Sequence, residues 1–330
     1  MQSPYTGKEM KLLIKPSSII IRKEAFTVMH HVWQCIDTKE EFEFDVDGTI
    51  RQAEDQYRSK HNLPFQEEIK AIREQYDISA AKMSEVLRFG INQYKQYENG
   101  ELPSESNASL IFLARDPKGF CQLVELSNIV EKEKVNLYKK AESLLEKNLH
   151  WREKVWAIQL LMGEPHPNVE RGFKPPSLEK FGSMVQFFAV QMTPFKTQLN
   201  KLLFYSDFVH FKHFGRSISG SKYRAIAMGP VPNNFDGLFQ YMENEGYVQV
   251  EHNEYANGSI GTRFLPGDQR LTDKILSEPE LATLQTVFKR FSRVSSKEII
   301  RISHEEIAWE KNMKEHAIIS YLDSYLLKAI

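Results

Sequence analysis

Residues 65–104 read FQEEIKAIREQYDISAAKMSEVLRFGINQYKQYENGELPS. Ile69, Ile72 and Tyr76 recur at helical spacing, and Glu67 and Glu68 stand in the opening turn, where the helix dipole favours negative charge. Ser79 offers an N-cap to a second helix over residues 80–87, with Met83, Val86 and Leu87 turned inward. Gly90 closes a tight turn before a third helix, Ile91 to Glu98, which buries Tyr94 and Tyr97. It stops at Asn99-Gly100, residues that tolerate a left-handed backbone. The last two helices must cross tightly, and the pattern gives the small residue at their crossing to Ala81.

On the N-terminal side the period changes. KLLIK (11–15), SSIIIRK (17–23), FTVMHHVWQC (26–35) and EFEFDV (41–46) are β-branched and aromatic between polar breaks, which predicts a small sheet. Two octapeptides flank it, SPYTGKEM (3–10) and CIDTKEEF (35–42), sharing threonine at the fourth place and glutamate at the seventh. On the C-terminal side, helices are predicted over residues 120–130 and 133–162, followed by GEPHPNVERGFKPPS (163–177), whose prolines suggest a linker. Residues 178–246 are the most aromatic and call for two or three core helices. A β-hairpin is expected over 247–266, and a terminal apolar-faced helix over 318–330. The resulting fold class is α+β, mainly α, in four segments: 1–48, 49–118, 119–175 and 176–330.

With 330 residues, 41% of them apolar, and a formal net charge of −1, the chain as a whole has no electrostatic attraction for nucleic acid or anionic membrane. Any DNA-binding surface must be local. Two cysteines make no disulfide framework, no run is long enough to span a bilayer, and no cleavable leader is evident, so a cytoplasmic location is expected. His210 and His213 have helical ligand spacing but no evident acidic third ligand, and GRSISGSK (215–222) lacks the Walker spacing. Asp45, Asp47 and Gly48 form only a fragment of a calcium loop. No Ser/His/Asp or Cys/His set assembles from spacing, so no catalytic residue, metal or cofactor is nominated and the chain is not expected to be an enzyme.

YKQYENG (94–100) and the helices before it resemble the Xre family of lambda-repressor-like helix-turn-helix proteins, over about residues 66–115. The resemblance implies a DNA-facing set of Ser79, Ile91, Asn92, Gln93, Lys95, Gln96 and Asn99. Asn92 and Gln96 can pair with adenine, and Ile91 can touch a thymine methyl. Seven basic against nine acidic residues in 66–118 make a weak half-site reader, so a homodimer on two-fold operator DNA is expected. A β-rich start with paired turns before such a motif resembles the MqsA-type (YgiT-type) antitoxins, whose first domain is a zinc ribbon. Here Ser3, Thr6, Cys35 and Thr38 stand at the four ligand places; hydroxyls are poor zinc ligands, so a metal-free ribbon is implied.

Tyr223, Ala225, Gly229, Pro230 and Val231, after a helix carrying Lys201, Leu202 and Tyr205, resemble the Panacea (SocA-like) domain over about residues 178–313. That family implies a type II antitoxin that neutralises a toxin encoded next to it. The contacts expected with the toxin are Tyr205, Phe208, Phe211, Phe214, Arg216 and Tyr223. Alternatives are an adaptor that delivers the toxin to a protease, and a phage or plasmid transcription regulator with a ligand- or partner-sensing C-terminal domain.

Overall fold

The computed structural model describes residues 2–44, 46–146, 156–254, 260–269 and 275–330. Asp45 of the calcium-like fragment, residues 147–155 of the expected long helix and the hairpin tip at 255–259 lie outside the described residues. The chain is mainly helical, with three small antiparallel sheets among the described residues, as its pattern predicts. It divides into two compact units. One comprises Met1–Ile20, Thr27–Gln52 and Ala157–Ile330; the other comprises Ile21–Phe26 and Ala53–Trp156.

Strands β1 (Lys11–Ile21), β2 (Glu24–Gln34) and β3 (Glu41–Phe44) form one sheet in that order. The two short strands expected over 11–23 are one, because Pro16 sits on an edge strand, where its missing N–H interrupts no ladder. Arg22 and Lys23 turn the hairpin with φ of 45° and 73°.

The second unit holds α1 (Val46–Lys60, from Ala53 onward), α2 (Gln66–Glu74), α3 (Ala80–Val86), α4 (Gln93–Glu98), α5 (Glu105–Leu113), α6 (Pro117–Leu126) and α7 (Glu131–Glu146). Its core is the set expected from periodicity, with Ile69, Ile72, Tyr76, Met83, Val86, Leu87, Tyr94 and Tyr97 all buried. Each large apolar side chain removed from water here contributes about 1.5–3 kcal/mol. Arg22 and Glu24 at the hairpin tip join this unit: Arg22 donates to the Leu102 carbonyl at 2.7 Å, and Glu24 pairs with Lys60 at 2.6 Å. Arg58, with no exposed surface, donates to the Gly100 carbonyl at 2.6 Å and so ties α1 to the end of α4.

In the first unit, α8 (Leu178–Met192) and α9 (Lys196–Phe214) pack with each other and with α11 (Glu278–Phe291); α9 also packs with α12 (Ser296–His304), against which α13 (Ile307–Met313) lies. Between them run the short pair β4 (Tyr223–Ile226) and β5 (Gly229–Pro232), α10 (Phe235–Asn244), and the hairpin β6 (Val248–Glu254) with β7 (Ile260–Pro266). Helix α9 is buried on every side, from Gln198 through Phe211, as befits the central rod of a core. The expected terminal helix is instead a 3-10 helix over Tyr321–Leu326 followed by irregular chain bent at Lys328, with Ile318 bridging to Arg224 of β4.

The stretch expected to be a linker is packed. Val169–Arg171 forms a 3-10 turn, and Arg171, 1% exposed, donates to the carbonyls of Gly220 (2.9 Å) and Met162 (2.6 Å). Gly172 takes φ +58°, and a Cβ there would stand 2.7 Å from the Ser217 side chain, so the segment needs glycine at that place.

Candidate functional site

The three-helix pattern folds as a turn between two short helices. Ser79 caps α3 by accepting the Lys82 amide at 3.1 Å, so its side chain is engaged in holding the helix. The small residue at the crossing is Ser84, not Ala81. Ala81 is exposed, whereas Ser84 is buried and its hydroxyl accepts the Tyr94 amide at 3.1 Å, locking the start of α4 to α3. The left-handed residue of the turn is Arg88 (φ 59°); Gly90 has an ordinary backbone and open space around its Cβ direction. At the far end Asn99 takes φ −89°, and it is Gly100, at φ +118°, that turns the chain. Tyr94 Oη donates to the Ile69 carbonyl at 2.6 Å, and Arg73 Nε pairs with Glu98 at 2.6 Å, fixing α4 against α2.

This leaves one face of α4 and its approach in solvent. Ile91 is 83% exposed, and Asn92, Lys95, Gln96 and Asn99 are exposed beside it. Asn92 precedes α4 without capping it, which keeps its amide available. Gln93 is half-buried and donates to Glu101 at 3.2 Å, so it is the least available of the set. Neighbouring cations are partly neutralised within the unit: Lys82 is held by Glu133 at 2.6 Å and by Glu85, and Arg115 by Glu68 at 3.2 Å. Lys95 makes no ion pair among the described residues.

The two octapeptides also meet. Ser3 Oγ accepts the amides of Tyr5 (3.3 Å) and Thr6 (3.4 Å), the Lys39 amide donates to the Cys35 carbonyl at 3.0 Å, and Thr6 Oγ1 lies 3.6 Å from Cys35 Sγ. Hydroxyls of Ser3, Thr38 and Thr6 around the buried sulfur hold its thiol down at about 6. All four ligand places thus converge on one point, but one sulfur and three hydroxyls do not make a donor set for zinc.

In the C-terminal half, the aromatics expected to face a partner are mostly interior. Tyr205, Phe208, Phe211 and Tyr223 have no exposed surface and Arg216 is 8% exposed, which corrects the expected contact surface at five of its six residues. The reason is geometric, since they sit on or against the all-round buried α9. Phe208 stacks on Tyr321 at 4.4 Å, Tyr205 on Phe291 at 4.6 Å, and Phe211 packs against Phe173 at 5.7 Å. Phe214 alone of the six, at 45%, is exposed, where α9 ends. His210 is engaged with Thr283 at 3.0 Å, and burial pushes its ring down to about 3, so it is neutral.

Three buried groups that residue spacing did not single out organise this half. Asp207 accepts the amides of Ile218 (2.7 Å) and Ser219 (2.9 Å) and the hydroxyls of Ser219 (2.5 Å) and Tyr223 (2.8 Å), stringing the GRSISGSK loop and β4 onto one carboxylate. Burial nevertheless pushes its carboxyl above the usual range. Lys201, with no exposed surface, lies against Gly229: a Cβ on that glycine would stand 2.7 Å from Lys201 Cε. Desolvation holds its amine down at about 7. Glu306, also without exposed surface, accepts from Tyr205 Oη at 3.2 Å and from the amides of Lys328 (2.9 Å) and Ala329 (3.0 Å). Its partners lie far apart in the chain, so no local pattern marks it.

Among the described residues no helix is long and apolar enough to cross a membrane, and no group of three or more His, Cys, Asp or Glu could hold a metal ion. Neither the curated proteins nor the solved structures give a match to the chain. Residues 199–310 match the model of the family described as antitoxin SocA-like, Panacea domain, inside the 178–313 span that the Tyr-x-Ala and Gly-Pro-Val residues mark. Over that stretch the chain is similar to the Panacea family, which supports an antitoxin-type role in general.

Proposed function

We propose that this protein is an antitoxin and autoregulator: its C-terminal half binds and neutralises a toxin encoded next to it, and α3 and α4 bind the operator of their own operon as a homodimer. The single observation that carries the reading is the Panacea match over residues 199–310. The helix-turn-helix reading is supported by the exposed Ile91, Asn92, Lys95 and Gln96 on a helix anchored by Ser84, Arg58 and Arg73. The paired turns around Cys35 are read as a ribbon that keeps its knuckles without a metal.

Neutralisation is steric on this reading. The partner surface is made of residues outside the motif, since the motif's own aromatics are core. The test is expression of the adjacent open reading frame in a bacterium, alone and with this chain. Growth arrest by the neighbour, relieved by the full chain, is the expected result; a harmless neighbour would overturn it. Following toxin level over time separates blocking from delivery to a protease, because a blocker leaves the level unchanged.

A further inference from the structure

Residues 327–330, bent at Lys328, lie against α11 and the start of α13, held mainly through their backbone, with Lys328 Nζ also donating to the Glu305 carbonyl at 2.8 Å. Glu306 grips two consecutive amides, those of Lys328 and Ala329, at 2.9 and 3.0 Å. Arg290 Nε donates to the Ala329 carbonyl at 3.0 Å. Lys212 Nζ reaches the main-chain oxygens of Leu327 (3.3 Å) and Ile330 (3.0 Å). Of the four side chains only Leu327 is buried, at 7% exposure. A clamp built of a carboxylate, a guanidinium and an ammonium on main-chain groups reads little of the sequence it holds, beyond one apolar anchor and the lysine that reaches the Glu305 carbonyl.

Two features bear on what this groove can hold. Glu306 has no exposed surface while the segment is in place and lines the cavity beside it, so a departing segment strips it of two of the three hydrogen bonds given above and leaves water to replace them. A second backbone that presents two consecutive N–H donors restores those bonds. The groove is also longer than its occupant: a cavity of about 270 Å³ continues beside Lys328 and Ala329, lined by Arg290, Val294, Glu298, Arg301, Ile302 and Glu305.

We propose that this groove docks a short bent segment of the partner protein carrying a large aliphatic anchor, and that residues 327–330 occupy it in cis until that segment replaces them. That the partner is a toxin rests on the antitoxin reading above. The groove itself does not.

The probe is a labelled peptide with the sequence of residues 326–330, LLKAI, followed by fluorescence anisotropy. A chain ending at Leu326 binds it, and the full chain binds it at least about tenfold more weakly because its own segment competes. N-methylation at the lysine and alanine positions removes the donors to Glu306 and weakens binding by about tenfold or more. Should the shortened chain not fold, the full-length Leu327→Asp variant is the substitute: it removes the anchor, speeds deuterium uptake at the Lys328 and Ala329 amides and binds the peptide. Failure of both folded forms to bind overturns the groove and leaves the antitoxin reading standing. With the toxin of the growth assay, the shortened chain neutralises at a lower dose; an equal dose would sink the claim that segment and partner share one place.

Discussion

Lys201 carries its amine where no water reaches and no carboxylate pairs with it among the described residues, beside Gly229 and Ser303. Its folded pKa, about 7, lies below the ordinary lysine value of 10.5, so the unfolded chain binds more protons between those two values. The stability this group contributes is present above 10.5, falls as pH drops through the window and is fully lost below about 7. Lys201→Met, which keeps the length and removes the charge, is therefore expected to stabilise the protein at pH 6 by an amount on the order of a few kcal/mol. It should also flatten the rise of stability with pH between 7 and 10.5. Urea unfolding at pH 6 and pH 9 measures both, and an unchanged pH slope would show that Lys201 is solvated or paired.

At the scale of the helix, the turn between α3 and α4 depends on Ser84 and not on Gly90. Ser84→Val adds bulk at the crossing and orphans the Tyr94 amide, for an expected loss of about 2–4 kcal/mol. Gly90→Ala should change stability by less than about 0.5 kcal/mol, since its backbone is ordinary and its surroundings open. Thermal melts of the two variants check the contrast, and equal losses would place the tight approach elsewhere. This pair also marks how far the sequence could be read. Met83, Val86 and Leu87 were legible because an amphipathic helix repeats every three to four residues. The crossing residue was not, because Ala81 and Ser84 are both small and only the register of α4 decides between them. Helix α9 failed for the opposite reason: a helix apolar all round has no face, so nothing in its spacing separates buried Phe208 and Phe211 from exposed Phe214. The bent segment after Leu326 was taken for helix because Glu306, the residue that holds it, is distant in sequence.

At the scale of the chain, two compact units give two separable activities on the proposed reading. Replacing Asn92 and Gln96 together by alanine alters only exposed side chains of one unit. Operator binding is expected to fall by about tenfold or more, with growth rescue unchanged. Gel shift and the growth assay measure the two, and loss of rescue in this folded variant would break the two-module picture. The formal charge of −1 adds a further expectation for the whole molecule, that its DNA affinity falls less steeply with added salt than that of a strongly basic regulator.

The burial of Tyr205, Phe208, Tyr223 and Gly229 has a consequence for how such chains diversify. The residues that carry the similarity to the Panacea family are skeleton, strung to Asp207 and packed on α9, and their side chains are turned away from the surface. On the proposed reading, kinship and target choice are thus inscribed on different atoms, and a lineage could exchange one adversary for another by rewriting its exterior while its ancestral signature stays unchanged.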